Sequence, residues 1–344
     1  MVKNSPIFTD KDRTMKISVL LTDYLQHDFL LETLESVILQ NIDKTSYELI
    51  LLTDESNAEI REILKQNAID HKIIETGLKH WGEAIHIGLE NSDGDVICFL
   101  DNDDIWNPEK LVYVKRYFER FPDLVFMKDM AIPFMSRNGS NKPTMLFKTP
   151  ALGRPNKSNP QYIKLGESIP VRSLFRHRIL FNNSSMSIKR DAITKNLDSL
   201  KLINYSHDVF IFLSGACENG DLIYLEKGLT NYRIKEGNYK DWPAKRIQGM
   251  IKSTEEFNAH FAPRIENLSN GWLSDIFKTS LVLMGLITLV HSDVNLRPST
   301  NIKFSEIIKY SLQFKIYSLF VYYLLYVLKK FARVNVVKIF YLFG

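Results

Sequence analysis

A chain of 344 residues with 45% hydrophobic content is long enough for one large or two ordinary domains with a real core. The 24% charged fraction excludes a globally disordered chain, and a net charge of +4 is too small to point to nucleic acid. Two cysteines, Cys98 and Cys217, exclude a disulfide framework. With a polar N-terminus (Lys3, Asp10, Lys11, Arg13) and no apolar signal core, the folded domain is expected in the cytoplasm.

Residues 1–14 read as a polar tail. The run from Lys16 to Leu21 is short, apolar and partly β-branched, which predicts a buried strand. Asp28–Gln40 follows as a helix, with Leu30, Leu31, Leu34, Val37 and Ile38 at helical spacing. A second strand over Glu48–Leu52 runs into Thr53-Asp54-Glu55, and a charged helix over Ala58–Asn67 leads to a third strand over His71–Glu75. A helix over Gly82–Asn91 ends at Ser92-Asp93-Gly94-Asp95. A fourth strand, Val96–Leu100, then delivers the chain into Asp101-Asn102-Asp103-Asp104. Asn107 is the expected cap and Pro108 the expected start of the next helix, which carries Leu111, Val114, Phe118 and Phe121 on one face. Continuous apolar strands alternating with helices predict an α/β fold: a mostly parallel sheet with helices on both faces. Ligands bind such sheets outside the carboxyl ends of the strands, where Asp54 and the Asp101 cluster fall.

Residues 131–170 hold six of the twelve prolines and six Lys or Arg against one Glu, a long basic loop expected to close over a ligand. Ordered patterns resume near Ile179, and a helix is expected over Pro243–His260. The C-terminal part contains two apolar runs, Leu281–Val290 and Ile316–Leu328. As helices they measure about 15 and about 20 Å, short of a hydrocarbon core of about 30 Å. From Asn301 onward six Lys and one Arg face one Glu. Lys-edged, Tyr-rich runs of this kind suit a lipid interface, so peripheral attachment to the inner face of the cell membrane is expected. Burial of these helices on the catalytic domain or in a homodimer is the alternative.

Three carboxylates at a strand end repel one another unless a cation neutralises them, and hard divalent ions take carboxylate oxygens together with substrate phosphates. The competing reading is an acidic turn that favours the helix near Pro108. The surrounding blocks bear on the choice: Ile17–Leu21 with Tyr24 and Leu34–Gln40, then Glu48–Ser56, then Gly82–Leu89, then Gly94–Asp104 with Pro108 and Leu111. In this order, over Lys16 to about Phe121, they resemble the family 2 glycosyltransferases, which have the GT-A fold.

The resemblance implies an inverting transferase. It would move a sugar from a UDP-, GDP- or dTDP-sugar to a hydroxyl of a glycan or lipid-linked acceptor, with Mg²⁺ or Mn²⁺ as cofactor. In it Asp54 would contact the base or ribose, and Asp101 and Asp103 would form the metal-binding DxD motif, with Asp101 also near the ribose. Asp95 would lie near the nucleotide, and Asp23 and Tyr24 would line its pocket. Asn182–Arg190 resembles the acceptor-side strand, and Ser206-His207-Asp208-Val209-Phe210 resembles the block holding the catalytic base, here Asp208. An inverting transfer needs such a carboxylate to take the acceptor proton; the alternative for Asp208 is a helix-start carboxylate satisfied by backbone N–H groups. Asn231–Lys235 resembles a later block in which Arg233 or Lys235 would neutralise the diphosphate.

The chain departs from the family pattern at Thr22-Asp23-Tyr24-Leu25, at Thr53-Asp54, at Ile85-His86, and at His207, which stands where Glu is usual. The architecture expected is a catalytic domain over 15–240, with a nucleotide half at 15–130 and an acceptor half at 171–240, followed by a helical extension over 241–344. Two readings compete. A haloacid-dehalogenase-like phosphatase would use Asp101 as nucleophile, but carries its motif on the first strand, whereas three strands precede Asp101. A decayed fold serving as a membrane-associated scaffold is the non-enzymatic one.

Overall fold

A computed structural model describes residues 14–24, 27–55, 58–77, 81–135, 162–165, 180–234, 244–267, 273–274 and 277–278. The first half alternates strand and helix as the periodicity predicts: β1 (Ile17–Asp23), α1 (Leu30–Ile38), β2 (Tyr47–Thr53), α2 (Ala58–Gln66), β3 (Asp70–Glu75), α3 (Trp81–Glu90) and β4 (Val96–Asp101). There follow β5 (Ile105–Trp106), α4 (Lys110–Arg120), β6 (Leu124–Met135), β7 (Tyr162–Leu165), β8 (Met186–Lys189) and the short helices α5 (Arg190–Thr194) and α6 (Leu197–Leu200). Helix α7 (His207–Ala216), strand β9 (Asp221–Ile234) and helix α8 (Ala244–Asn267) complete the described elements.

The strands form one sheet in the order β3-β2-β1-β4-β8-β6-β9-β5, with β7 also paired to β9. The β3-β2-β1-β4 half is parallel throughout. Strand β8 runs antiparallel to both β4 and β6, and β5 and β7 run antiparallel to β9, so the sheet as a whole is mixed. Alternate residues of each central strand enter opposite cores. Leu20, Ile50, Leu52, Ile97 and Phe99 pack with α3, α7 and α8, whereas Val19, Leu21, Leu49, Leu51, Cys98 and Leu100 pack with α1, α2 and α4. Burial on both faces is why these strands read as unbroken apolar runs.

Several local expectations change. Pro108 does not start α4: Asn107 Oδ1 accepts the N–H of Glu109, and the helix begins at Lys110, whose buried ammonium pairs with Asp129. Leu31, on the expected apolar stripe of α1, is exposed. Helix α8 runs past His260 and through Pro263, because the row Phe257, Phe261 and Ile265 continues into the core and packing overrides the break. The expected basic loop is shorter than 131–170, since residues 131–135 extend β6 and 162–165 form β7 along β9. The rest of that loop, the tail before residue 14, Lys235 and both C-terminal apolar runs lie outside the described residues. Among the described residues no helix is long and apolar enough to cross a membrane.

Gly82 sets how closely α3 approaches the second half. Its N–H donates to the Ile203 carbonyl at 3.2 Å, and a Cβ here would stand 2.2 Å from Leu200 O and 2.4 Å from Ile203 O. Both obstacles are backbone and cannot rotate away. Gly82→Ala is therefore expected to destabilise the protein by about 1–3 kcal/mol, read as a fall of several degrees in Tm by calorimetry.

Candidate active site

The carboxyl ends of β1, β2 and β4 lie side by side, with Thr22 opposite Asp101 and Asp23 opposite Thr53 in register. Parallel pairing brings Thr22 and Asp101, 79 apart in sequence, to one edge of the sheet. Asp101 Oδ1 accepts from Thr22 Oγ1 at 3.1 Å and Asn183 Nδ2 at 3.0 Å, and its backbone N–H donates to Ser184 Oγ. Burial first, then the neighbouring Asp103 charge, pushes the Asp101 carboxyl up to about 6. Two carboxylates that repel each other at a partly open strand end suit a divalent cation. Among the described residues no group of three or more His, Cys, Asp or Glu forms a closed metal cage. The donor set fits an ion of the Mg²⁺ or Mn²⁺ kind, which takes one or two protein carboxylates and completes its shell with water and substrate phosphates.

Asp104 does not belong to that set. It is buried, with Oδ2 accepting from Asn182 Nδ2 at 2.8 Å and Oδ1 from the Arg233 N–H at 2.9 Å. Burial, then the charges of Asp103 and Asp101, holds its carboxyl well above the usual range. Arg233 likewise departs from the expected diphosphate contact. Its side chain is almost wholly buried, donating through Nε to the Asp103 carbonyl at 2.7 Å and through a terminal nitrogen to Glu32 at 2.5 Å. The guanidinium also lies over the rings of Phe29 and Phe134. Arg233 clamps the acidic turn from behind.

On the β2 side, Asp54 follows Thr53 and is partly exposed at the same edge. Asp23 is fully buried: it accepts from Asn102 Nδ2 at 2.7 Å, from Thr53 Oγ1 at 3.0 Å and from His27 Nδ1 at 2.7 Å. Asp23 thus reaches the pocket through neighbours and presents no free oxygen of its own. Tyr24 is half-buried beside Asp54 and Glu83, and burial raises its phenol, with the two carboxylates adding to the shift. Asp95, expected near the nucleotide, is not brought to this edge of the sheet. It lies at the amino end of β4, six residues before Asp101, and Oδ2 accepts the Lys16 N–H at 2.9 Å. That is the far edge of the sheet, about 20 Å along the strand from the acidic turn. His86 sits in α3 with Nε2 3.4 Å from Glu90.

Asp208 opens α7, across from the acidic turn. Oδ2 accepts the Asn182 N–H at 3.2 Å and Oδ1 the Val209 N–H at 2.9 Å. Burial raises its carboxyl, opposed by His207, by these two N–H groups and by Lys128. Lys128, pushed down to about 7 by burial, bonds Ser185 Oγ beneath the same turn. Two side-chain-bearing residues here hold left-handed backbone, Asn182 at φ 68° and Ser206 at φ 59°. Such strain persists where surrounding contacts enforce it, and it clusters at functional sites.

Asn182 and Asn183 together touch Asp101, Asp104 and Asp208, a junction that sequence spacing alone does not reveal. Trp81 was also missed: its indole stacks on His207 at 3.6 Å, and Nε1, near Asp101, completes no hydrogen bond. The signal for it was a bulky aromatic directly before the tightly packed Gly82. Burial lowers His207 to about 4, with the Asp208 charge opposing it, and its ring is part of the stack.

Solved structures share this architecture. The chain superposes on Staphylococcus aureus TarS residues 1–349 in complex with UDP-GlcNAc with a TM-score of 0.55 at 16% identity, covering 87% of this chain and 79% of that one. It superposes on the mannosyltransferase PcManGT of Pyrobaculum calidifontis, in complex with GDP-Man and Mn²⁺, with a TM-score of 0.52 at 12% identity, covering 95% and 90%. The fold is of the GT-A type. The sequence narrows the class: residues 18–181 match the family model described as glycosyl transferase family 2, and this part of the chain is of that family. Among curated relatives, the poly(ribitol-phosphate) beta-N-acetylglucosaminyltransferase TarS of S. aureus is 25% identical over 189 residues, or 54% of this chain. The chain spans only 29% of that relative's length. Nothing in these likenesses supports the phosphatase reading, and Asp101 ends the fourth strand and not the first.

Proposed function

We propose that the chain is an inverting glycosyltransferase that moves a sugar from a nucleoside diphosphate to a hydroxyl of a cell-surface glycan or polyol-phosphate polymer, at the inner face of the membrane. The observation that carries this reading is the Asn182–Asn183 junction. Asn183 bonds Asp101 on one side and the Asn182 N–H bonds Asp208 on the other, so the acidic turn and the helix-start carboxylate share one site. The polymer acceptor is suggested by the name of the S. aureus relative, and the nucleotide donor by the ligands of the two solved structures.

In this reading Asp101 and Asp103 hold a Mg²⁺ or Mn²⁺ ion. When bound, that ion supplies Lewis-acid neutralisation of the charge growing on the departing nucleoside diphosphate. Asp54 and Tyr24 face the nucleoside. Asp208 accepts the proton of the attacking hydroxyl as the new bond forms at the anomeric carbon. Thr22 and Asn183 fix the Asp101 carboxylate, and Arg233 and Asn182 fix the turn, so the site is set before substrate arrives.

The test is a panel of UDP-, GDP- and dTDP-sugars incubated with Mg²⁺ or Mn²⁺. At least one donor is expected to bind and to hydrolyse slowly, with loss of both on chelation. Cleavage of simple phosphate esters with no nucleotide-sugar turnover would sink the assignment, as would binding of no donor under any metal.

A further inference from the structure

An imidazole that no family block singles out bridges the two carboxylates of the donor edge. His27 Nδ1 lies 2.7 Å from Asp23 Oδ2, and His27 Nε2 lies 3.3 Å from Asp54 Oδ1. Asp23 carries the link onward, because its other oxygen accepts from Asn102 Nδ2 at 2.7 Å, and Asn102 is the middle residue of the Asp101–Asp103 turn. Asn102 is fixed in turn by its carbonyl, which accepts from Thr33 Oγ1. A chain of contacts therefore runs Asp54–His27–Asp23–Asn102 from the end of β2, across the end of β1, to the tip of β4.

We propose that His27 is a positioning residue that sets Asp54 for the nucleoside and couples its placement to the acidic turn, making donor binding proton-linked. This rests on the reading of Asp54 as a donor-site residue given above. Nδ1 hydrogen-bonds Asp23, whereas Nε2 meets Asp54 Oδ1 as an ion pair without hydrogen-bond geometry, so the ring holds Asp54 by charge and does so only as the imidazolium. The charged groups that face it are Asp23 from β1 and Asp54 and Glu55 following β2; all three favour the cation. The hydrogen bond to Asp23 raises the His27 pKa most, burial opposes it, and the ring is partly exposed. Donor affinity is therefore highest with His27 protonated and falls as pH rises through a value above the ordinary histidine range. The same sign holds for the small contribution of this contact to folding.

The experiment is calorimetric titration of UDP and of GDP, each with MnCl₂, into wild type, His27→Ala and His27→Gln from about pH 6 to about pH 9. Wild type is expected to bind one nucleotide roughly tenfold more tightly at the acid end than at the alkaline end. His27→Ala is expected to bind weakly at every pH. His27→Gln keeps a neutral hydrogen-bonding head and is expected to show a flat profile near the alkaline wild-type level. Histidine NMR gives an independent reading of the His27 pKa, expected above the ordinary value. If wild type binds nucleotide and its pH profile coincides with that of His27→Gln, or His27→Ala binds as wild type does, the inference falls and the donor site stands. If wild type binds neither nucleotide while the His27 pKa is raised, the donor-site reading falls and takes the inference with it.

Discussion

Asp208→Asn is expected to bind its nucleotide-sugar donor within about twofold of wild type and to transfer sugar about 10²–10⁴ times more slowly. The substitution keeps volume and shape, but the two carboxylate oxygens accept the Asn182 and Val209 N–H groups separately, and the single amide oxygen of Asn keeps only one of these bonds. The capacity to take a proton is lost as well, and an unchanged thermal midpoint shows that the lost backbone bond is not what slows transfer. Donor affinity by calorimetry and initial rates with acceptor separate the two effects. The pH dependence carries the same information. Asp208 must be ionised to act, and burial raises its carboxyl, so wild-type transfer falls on acidification at a higher pH than an ordinary aspartate would dictate. That acid limb is absent from the residual activity of the Asn variant. Turnover near the wild-type rate in the variant places the base elsewhere.

Asp103→Ala is expected to remove metal-dependent turnover by about 10²–10³, and chelation of wild type should reproduce the loss. The main-chain contact of Arg233 with the Asp103 carbonyl is kept in the variant. Asp101 stays fixed by Thr22 and Asn183. An unchanged thermal midpoint together with lost Mn²⁺ dependence is the expected pair of results. Full activity at ordinary metal concentration would show that the ion, if one is used, sits on other residues.

How far the sequence could be read follows from which contacts are local. Apolar runs such as Ile17–Leu21 and Val96–Leu100 are buried on both faces, so hydrophobic continuity is a direct record of their surroundings, and the parallel half of the sheet was legible. The antiparallel insertion of β8 was not, since Met186–Lys189 is only four residues long and its partners lie 58 to 93 positions away. At the site, strand-end placement marked Asp54, Asp101 and Asp103. It could not tell which carboxylates face the mouth. Asp104 turns inward because Asn182 and Arg233 meet it there, and both arrive from the second half of the chain. Arg233 looks like a free cation when read beside Tyr232 and Lys235, and only Glu32, Phe29 and Phe134 show it to be spent. Asp95 was assigned by resemblance of its block; the length of one strand carries it to the opposite rim.

The Arg233 clamp has a further consequence for biosynthesis. Its three polar contacts, to Asp103, Asp104 and Glu32, join residues separated by 129 to 201 positions. Closing loops of that length comes late in folding. A nascent chain emerging from the ribosome can pair its first four strands while the acidic turn remains without its rear support until β9 has been made. Polypeptides released early would then be poor at burning activated sugar, and competence to act would arrive together with completion of the acceptor side.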